Sequence, residues 1–584
     1  MKNIINCFIM KKHILLSLFL LSMLTGFAQW ISPGQGGQYT LASIATADSL
    51  SVTNLQNGEF QIHQNITISR GDDLVLDATV AQIRVDDDVT ITIYGSIITA
   101  ERTGMLLMSG DSMGVNGFEL RIDSATATTI SHICFEHGNR VMVIQTDMTF
   151  DSCEFRDFTS AAINFMNCNP TIQNSYFHHN HAAAITSGAN VAGSPKIINN
   201  TLYNNVLDNE NIPQINLGPG ATDTIVITGN RIEGVASNMS GGIGIMNVYG
   251  IGNTVMLVKD NIIRHNRYGY TQNGSNIFAI LCDNIIQDNT LETNPNNGGS
   301  GISIYGSNTT CAAKIRRNII SGNLWGVTTI YYHGVDMGTA DDPGGNVLYD
   351  NGNGGTEYEL YNNAFSNLSA VGNYWGNNDT VHAEAVIFHQ ADNPSYGLVT
   401  YNPIMTLEPD LISFNLLQCD NPQLTDDLYG SFWNDTLSFF VGCVIPGDIF
   451  SPLKPSITYP FGVTCTPDPS IPQFFMNPVT YTLTTPHGSS RTFVAVFMIS
   501  GGIHDNSVLP VSIYPNPCSD RLILRNDSGE ELTVEVFSVI GQKIRHFRTS
   551  DSETVLNTTD WVKGLYVMRV RQGDKRETFK IVVR

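Results

Sequence analysis

Between residues 153 and 378 the chain repeats one arrangement of polar and apolar positions, Asn-x-apolar-x-x-Asn. Degenerate copies begin at Cys153 (CEFRDF), Ser175 (SYFHHN), Asn200 (NTLYNN), Asn230 (NRIEGV), Asn261 (NIIRHN), Asn289 (NTLETN), Asn318 (NIISGN), Asn346 (NVLYDN) and Asn373 (NYWGNN). Their spacings are 22, 25, 30, 31, 28, 29, 28 and 27 residues. A recurrence in that range marks a solenoid or array. The third position of the frame is apolar throughout, and a second apolar row (Ile172, Ile197, Ile227, Val258, Ile286, Ile315) lies three residues before the first residue of the frame. Gly, Asn and β-branched residues fill the intervals; they form helices poorly and read as short strands with tight turns. Each repeat also holds a further strand, such as AAINF (161–165), GGIGIM (241–246) or GSGISI (299–304).

Several short strands per repeat predict a coil of strands, each turn stacked ~4.8 Å above the last. Equivalent residues then stack. Leu202, Ile232, Ile263, Leu291 and Ile320 should form one buried row. The Asn residues should form amide ladders and tolerate left-handed corners. Cys282 and Cys311 each precede a frame Asn by seven residues, at 289 and 318. They should therefore lie opposite each other in adjacent coils. Both side chains would point the same way from stacked strands, which favours two thiols over a disulfide.

The flanks differ. Lys11 and Lys12 precede an apolar run, Ile14 to Leu24, and then GFAQ, which reads as a signal peptide over 1–28. Residues 58–100 alternate polar and apolar without the Asn frame. After about 408 the rhythm stops, and 409–500 reads as a small antiparallel sandwich, with alternating strands between Pro and Gly turns. Residues 501–509 read as a linker, and 510–584 as a third β-rich unit.

The Asn frame with GNYWG (372–376) resembles right-handed parallel β-helix proteins of the pectate-lyase type, over roughly 60–405. The handedness is what that resemblance implies. With its N-terminal cap the solenoid spans 29–408. FMNPVTYTLTTPHGSSRTFVAVF (475–497) is similar to bacterial surface Ig-like modules. The last unit resembles the type A C-terminal sorting domain of the type IX secretion system in Bacteroidetes. It does so through Tyr514, Pro515, Asn516 and Pro517, through GLYVMRV with Gly564 and Tyr566, and through the terminal KIVVR beginning at Lys580. The expectation is an all-β protein: a parallel β-helix, then two small antiparallel sandwiches. The resemblance implies type IX machinery as a partner and secretion or display at the outer-membrane surface.

Composition narrows the partners. The formal charge is −22. Loss of Lys2, Lys11 and Lys12 with the leader takes it to −25; residues 510–584 hold 12 basic and 10 acidic side chains, so 29–509 carries −27. That surface repels nucleic acid and polyanionic glycans at long range. No later segment is long and apolar enough for a transmembrane helix. Ten Cys, one of them Cys7 in the leader, are too few for a disulfide scaffold.

Chemistry is sparse. With Ile163, Phe165, Ile185, Ile243, Ile245, Ile302 and Ile304 facing inward, the outward positions are Asn164, Met166, Thr186, Gly244, Met246, Ser303 and Tyr305. No Asp, Glu, Lys, Arg or His is among them. Glycoside hydrolysis usually needs two carboxylates, and a lyase needs a base with a cation. HHNH (His178, His179, His181), RHNR (Arg264, His265, Arg267), KIRR (Lys314, Arg316, Arg317) and Asp341–Asp342 read first as solvated turns or structural groups. Asp86–Asp88 has the composition of a calcium-binding turn, but no further ligand spacing completes it, and no cofactor is identified. These features favour glycan binding, adhesion or scaffolding over catalysis, with Tyr305, Trp325, Tyr331 and Tyr332 as candidate ligand contacts. The alternative is a polysaccharide lyase or glycoside hydrolase working elsewhere on the solenoid.

Overall fold

The structure, a computed structural model, describes residues 29–111, 116–294, 297, 299–424, 426–433, 436–441, 451–475, 477–499, 509–538, 542–573 and 575–584. The signal peptide and nearly all of the 501–509 linker lie outside these residues. The chain forms two compact units. The first comprises 1–414, 455–471 and 480–493, and the second 415–454, 472–479 and 494–584. The 409–500 stretch is thus divided between the two.

The first unit is a parallel β-helix. Each full coil contributes one strand to each of three sheets. The first sheet has 14 strands, from Trp30–Ile31 to Ile387–Phe388; the second has 11, from Thr129–Ser131 to Val399–Thr400; the third has 14, from Val52–Gln56 to Tyr374–Trp375. Within these three sheets pairing is parallel throughout, except where Val52–Gln56 and Glu59–Ile62 form an antiparallel hairpin. The helix Leu41–Ala47 starts on a Thr40–Ser43 capping box and buries Leu41 and Ile44. One continuous core fills the coils. Its third-sheet row runs Phe155, Phe177, Leu202, Ile232, Ile263, Ile286, Ile320, Leu348 and Trp375. The Phe155 and Phe177 rings stack at 4.7 Å.

Two Asn ladders hold the coils in register. In one, Nδ2 of each residue donates to Oδ1 of the next, from Asn200 through Asn230, Asn261, Asn284, Asn318 and Asn346 to Asn373. The other runs along the last frame position, from Asn180 to Asn351. Where NRIEGV puts Val235 at that position, Gln214 from the first sheet bridges Asn205 to Asn266. The left-handed residue is the one before the ladder Asn: Asn199, Asp260, Asp283 and Arg317 at one corner, His179, Asn204, His265 and Asp288 at the other. Short polar side chains suit that conformation, which the ladder amide then fixes.

One frame departs from the sequence expectation. Ile286, not Leu291, pairs with both Ile263 and Ile320. The frame is therefore NIIQDN at 284–289, and the ladder spacings there are 23 and 34 residues. Leu291 lies half-buried beyond the strand Ile285–Gln287. The longer interval after this frame, 34 residues to Asn318, makes a misplaced copy at 289 look evenly spaced. In the preceding row Leu281, not Ile286, stands between Val258 and Ile315. The same shift undoes the cysteine pair. Cys282 lies opposite Arg316 and Cys311 opposite Ile277, and both are free thiols. Five residues of strand separate the two positions, about 17 Å.

The second ladder ends on Glu359, which is 1 % exposed. Its oxygens accept from Asn351 N–H (3.1 Å) and Nδ2–H (2.5 Å). Burial outweighs those donors and pushes the carboxyl up to about 8. Folding therefore retains a proton that the unfolded chain releases, and this contribution to stability is lost as pH rises from about 4.5 to 8. Burial acts in the opposite sense on His333, depressed to about 4, whose effect lies below pH 6.5. Between pH 6.5 and 8.5 Glu359 acts without it. Thermal melts should lose on the order of a few kcal/mol across that interval, and Glu359→Gln should flatten the slope. Parallel profiles for the two proteins would contradict the assignment.

Further segments belong to the first unit. Thr464–Thr466 pairs antiparallel with residues 482–484. His487 Nδ1 lies 2.7 Å from Tyr374 Oη, and Val347, Tyr374 and Leu407 share a small apolar cluster. In the second unit, Val511–Tyr514, Arg521–Asn526 and Glu553–Asn557 form one antiparallel sheet. Lys543–Thr549, Leu532–Ser538, Gly564–Gln572 and Lys575–Val583 form another. Leu522, Leu524, Val534, Val536, Met568 and Ile581 are buried in their common core.

Candidate functional site

The outward face of the first sheet is built by alternation. The row Asn164, Thr186, Asn216, Gly244, Thr271, Ser303 and Thr328 is continuous in register. Beside it run Met246, Asn273 and Tyr305. None of these positions carries an acidic or basic side chain. Charged residues on this face lie in earlier coils and neutralise one another: Glu119 with Arg140 (2.9 Å) and Arg121 with Asp123 (2.9 Å).

A cleft of about 270 Å³ lies on this face, floored by Asn216, Gly244, Thr271, Asn273, Ser303 and Tyr305. A second, of about 230 Å³, shares Asn216 and Met246 with it. Gly244 is required by packing: a Cβ there would lie 2.8 Å from Pro213 Cγ. Arg267 builds one wall. Its guanidinium donates to the carbonyls of Asn211 (2.9 Å) and Asn297, tying two loops together, and lies 5.5 Å from the Tyr268 ring centre.

Towards the last coils the face becomes aromatic. Tyr305 meets Tyr331 edge-on at 5.2 Å. Tyr331 is 49 % exposed and has a φ of +63°, a conformation that bulky residues rarely hold. Such outliers cluster at functional sites. Tyr332 packs against exposed Phe365 at 5.3 Å. The ring chain continues through Tyr396, Phe388, Tyr361 and Tyr358 at separations of 4.6–6.5 Å. Trp325 differs from the sequence expectation. It is 4 % exposed, stacked on Tyr358 and flanked by the backbone at Gly299, so it supports the face from beneath. Tyr361, Phe365, Phe388 and Tyr396 were missed because their outward alignment depends on a register that the irregular spacing beyond 349 hides.

The charged motifs occupy corners and ion clusters. His179, His265 and Arg317 are left-handed corner residues. Arg264 is held by Glu233 (3.1 Å) and Arg317 by Asp283 (2.7 Å). Arg316, 6 % exposed, reaches Asp336 (2.7 Å) and Asp342 (2.8 Å), and Lys314 also meets Asp342. Hydrogen bonds from Arg316 and Lys314 hold the Asp342 carboxyl at about 2, unsuited to a general acid. Asp86 is occupied by His63 (3.0 Å) and Gln61 (2.7 Å). Among the described residues, no group of three His, Cys, Asp or Glu is arranged to hold a metal ion.

The sorting motifs, far apart in sequence, converge. Asn516 Nδ2 donates to the Lys580 carbonyl (2.5 Å), and its Oδ1 accepts from Val582 N–H (2.8 Å). Tyr514 Oη donates to Glu553 (2.7 Å), and Tyr566 Oη to the Val562 carbonyl (2.7 Å). Gly564, at φ +150°, opens the strand that pairs with the terminal one.

Comparison with known proteins matches two parts of the chain. Residues 512–584 match the secretion system C-terminal sorting domain family, and residues 251–381 match a family described as a protein of unknown function, DUF1565. No curated protein matches. Among solved structures, a point mutant of the periplasmic alginate epimerase AlgG is similar at 10 % identity, over 64 % of this chain and 84 % of that one, with a TM-score of 0.39. AlgG without that mutation gives 12 % identity over the same shares and a TM-score of 0.34. In the described residues no helix is long and apolar enough to cross a membrane. The chain is a parallel β-helix protein with a type IX secretion sorting domain, secreted or attached at the cell surface.

Proposed function

We propose that the protein binds a neutral glycan along the outward face of its first sheet, as a surface adhesin or scaffold. The observation that carries this reading is the passage from a cleft floored by amides and hydroxyls, its one cation Arg267 turned to backbone carbonyls in the wall, directly into aromatic rings, Tyr305 and then exposed Tyr331. Amides and hydroxyls match sugar hydroxyls as both donors and acceptors, and flat rings cover the apolar faces of pyranoses. The charge of −27 over 29–509 favours an uncharged chain over a polyuronate. Coils rise ~4.8 Å apart, so successive sugars would meet equivalent positions.

Isothermal titration against a neutral and acidic glycan panel tests this. Tyr305→Ala and Tyr331→Ala should each weaken binding about tenfold or more, at least ~1.4 kcal/mol, with unchanged melting temperatures. Binding only to polyuronates, or variants that bind like the wild type, would refute it.

A further inference from the structure

We propose that the HHNH corner is a general-base site for acyl-ester hydrolysis, with His179 as its catalytic residue. It lies on the third sheet, away from the glycan face, and does not depend on that assignment. Glu154 Oε1 contacts His178 Nε2 at 3.0 Å, and His178 Nδ1 contacts His179 Nδ1 at 2.8 Å. Glu154 also accepts from Arg156 (3.2 Å), so it acts as an acceptor and His178 must donate from Nε2. When His178 carries only that proton it accepts at Nδ1, and His179 then donates from its own Nδ1. These constraints fix His179 in the tautomer whose Nε2 bears a lone pair, the form a general base needs.

The surroundings hold the relay in place. Tyr176 stacks on His178 at 4.2 Å, and Tyr203 stands edge-on to His179 at 5.9 Å. The His178 side chain is 13 % exposed and that of Glu154 22 %. Tyr203 lines a cleft of about 290 Å³ with Glu233, His265 and Asp288. The cleft opens where Gly234 takes the corner position that His179 and His265 occupy in other coils. A Cβ on Gly234 would lie 2.3 Å from the His265 carbonyl, so the missing side chain is a packing requirement as well as an opening.

The groups present select the reaction. Arg156, Arg231 and Arg264 are each bound to a carboxylate, leaving no cation beside the relay to neutralise a uronate for elimination. Glu154 is committed to His178 and Arg156, and Glu233 to Arg231 and Arg264, so neither is free to pair with Asp288 for glycosidic cleavage. A positioned base suits activation of water. The water proton moves to His179 Nε2 and the Nδ1 proton to His178, placing the positive charge beside Glu154. The water oxygen bonds to the ester carbonyl carbon. As the carbon–oxygen bond to the alcohol breaks, the relay returns the proton to the leaving oxygen, giving acid and alcohol.

His181 provides an internal control. It lies in the same motif, 45 % exposed, with its own carboxylate, Asp208, at 2.8 Å, but without a second imidazole. In the full-length protein, diethyl pyrocarbonate should modify His179 about tenfold faster than His181, read site by site by mass spectrometry. Glu154→Gln keeps an acceptor and removes the charge, and should bring the two rates within about threefold. The protein should hydrolyse p-nitrophenyl acetate faster than His179→Asn, a substitution that suits the left-handed corner. Equal labelling of His179 and His181 in the wild type, an unchanged ratio in Glu154→Gln, or ester hydrolysis unaffected by His179→Asn would each overturn the proposal. The labelling ratio is read on the wild type, so it tests the relay whether or not His179→Asn folds.

Discussion

Without residues 510–584 the protein should remain in the periplasm, with essentially none reaching the cell surface or medium. The matched sorting family covers 512–584, and this segment has its own core around Leu522, Val534, Met568 and Ile581. The recognisable motifs are joined in space: Asn516 of YPNP bonds the backbone of Lys580 and Val582, so motif and terminal strand present one surface. A smaller lesion should act through the same contact. Asn516→Ala removes both bonds and should lower export without changing expression. Cell fractionation with protease shaving of intact cells is the measurement. Normal surface levels of the truncated protein would refute the assignment. A melting transition retained by the truncated periplasmic form would show that the loss is of address and not of folding.

The architecture was legible because the repeat is enforced by stacking. Each frame residue meets its counterpart one coil away, so eight of the nine frames can be read from the order of polar and apolar positions alone. The ninth fails at 289 for a physical reason: a parallel coil tolerates a longer connection between its strands without disturbing their pairing, as Ile263, Ile286 and Ile320 show. NIIQDN at 284 is the closer copy of NIIRHN, and similarity of residues was a better guide there than evenness of spacing. The lack of charge on the later coils of the first-sheet face was equally legible, since alternation decides which side chains point outward. The rest depended on register. Tyr361 and Phe388 join Tyr305 and Tyr331 on one face only because Leu360–Ala364 and Ile387–Phe388 continue the same sheet. The relay was hidden for another reason: Glu154 and His178 are 24 residues apart and belong to neighbouring coils.

Asn261→Ala should destabilise the β-helix by about 3–6 kcal/mol, among the largest effects of any single substitution in it. The Asn261 Oδ1 accepts from both N–H groups of Asn230, backbone (2.9 Å) and side chain (3.0 Å). Its Nδ2 donates to the carbonyls of Ile227 (2.9 Å) and Lys259 (3.0 Å) and to Asn284 Oδ1 (3.0 Å). All of this is sealed from solvent, with Asn261 1 % exposed and Asn284 fully buried. Removing one amide therefore strands donors and acceptors in two neighbouring coils, where each unsatisfied group costs ~1–3 kcal/mol. Core truncation beside it separates packing from hydrogen bonding. Ile286→Ala should cost ~2–5 kcal/mol, because Ile286 lies fully buried between Ile263 and Ile320. Leu291→Ala, outside the row, should cost less than ~1 kcal/mol. Chemical denaturation of the three variants would decide the register. A larger loss at Leu291 than at Ile286 would restore the frame at 289, and a loss below ~1 kcal/mol for Asn261→Ala would show that the ladder does not carry the coil.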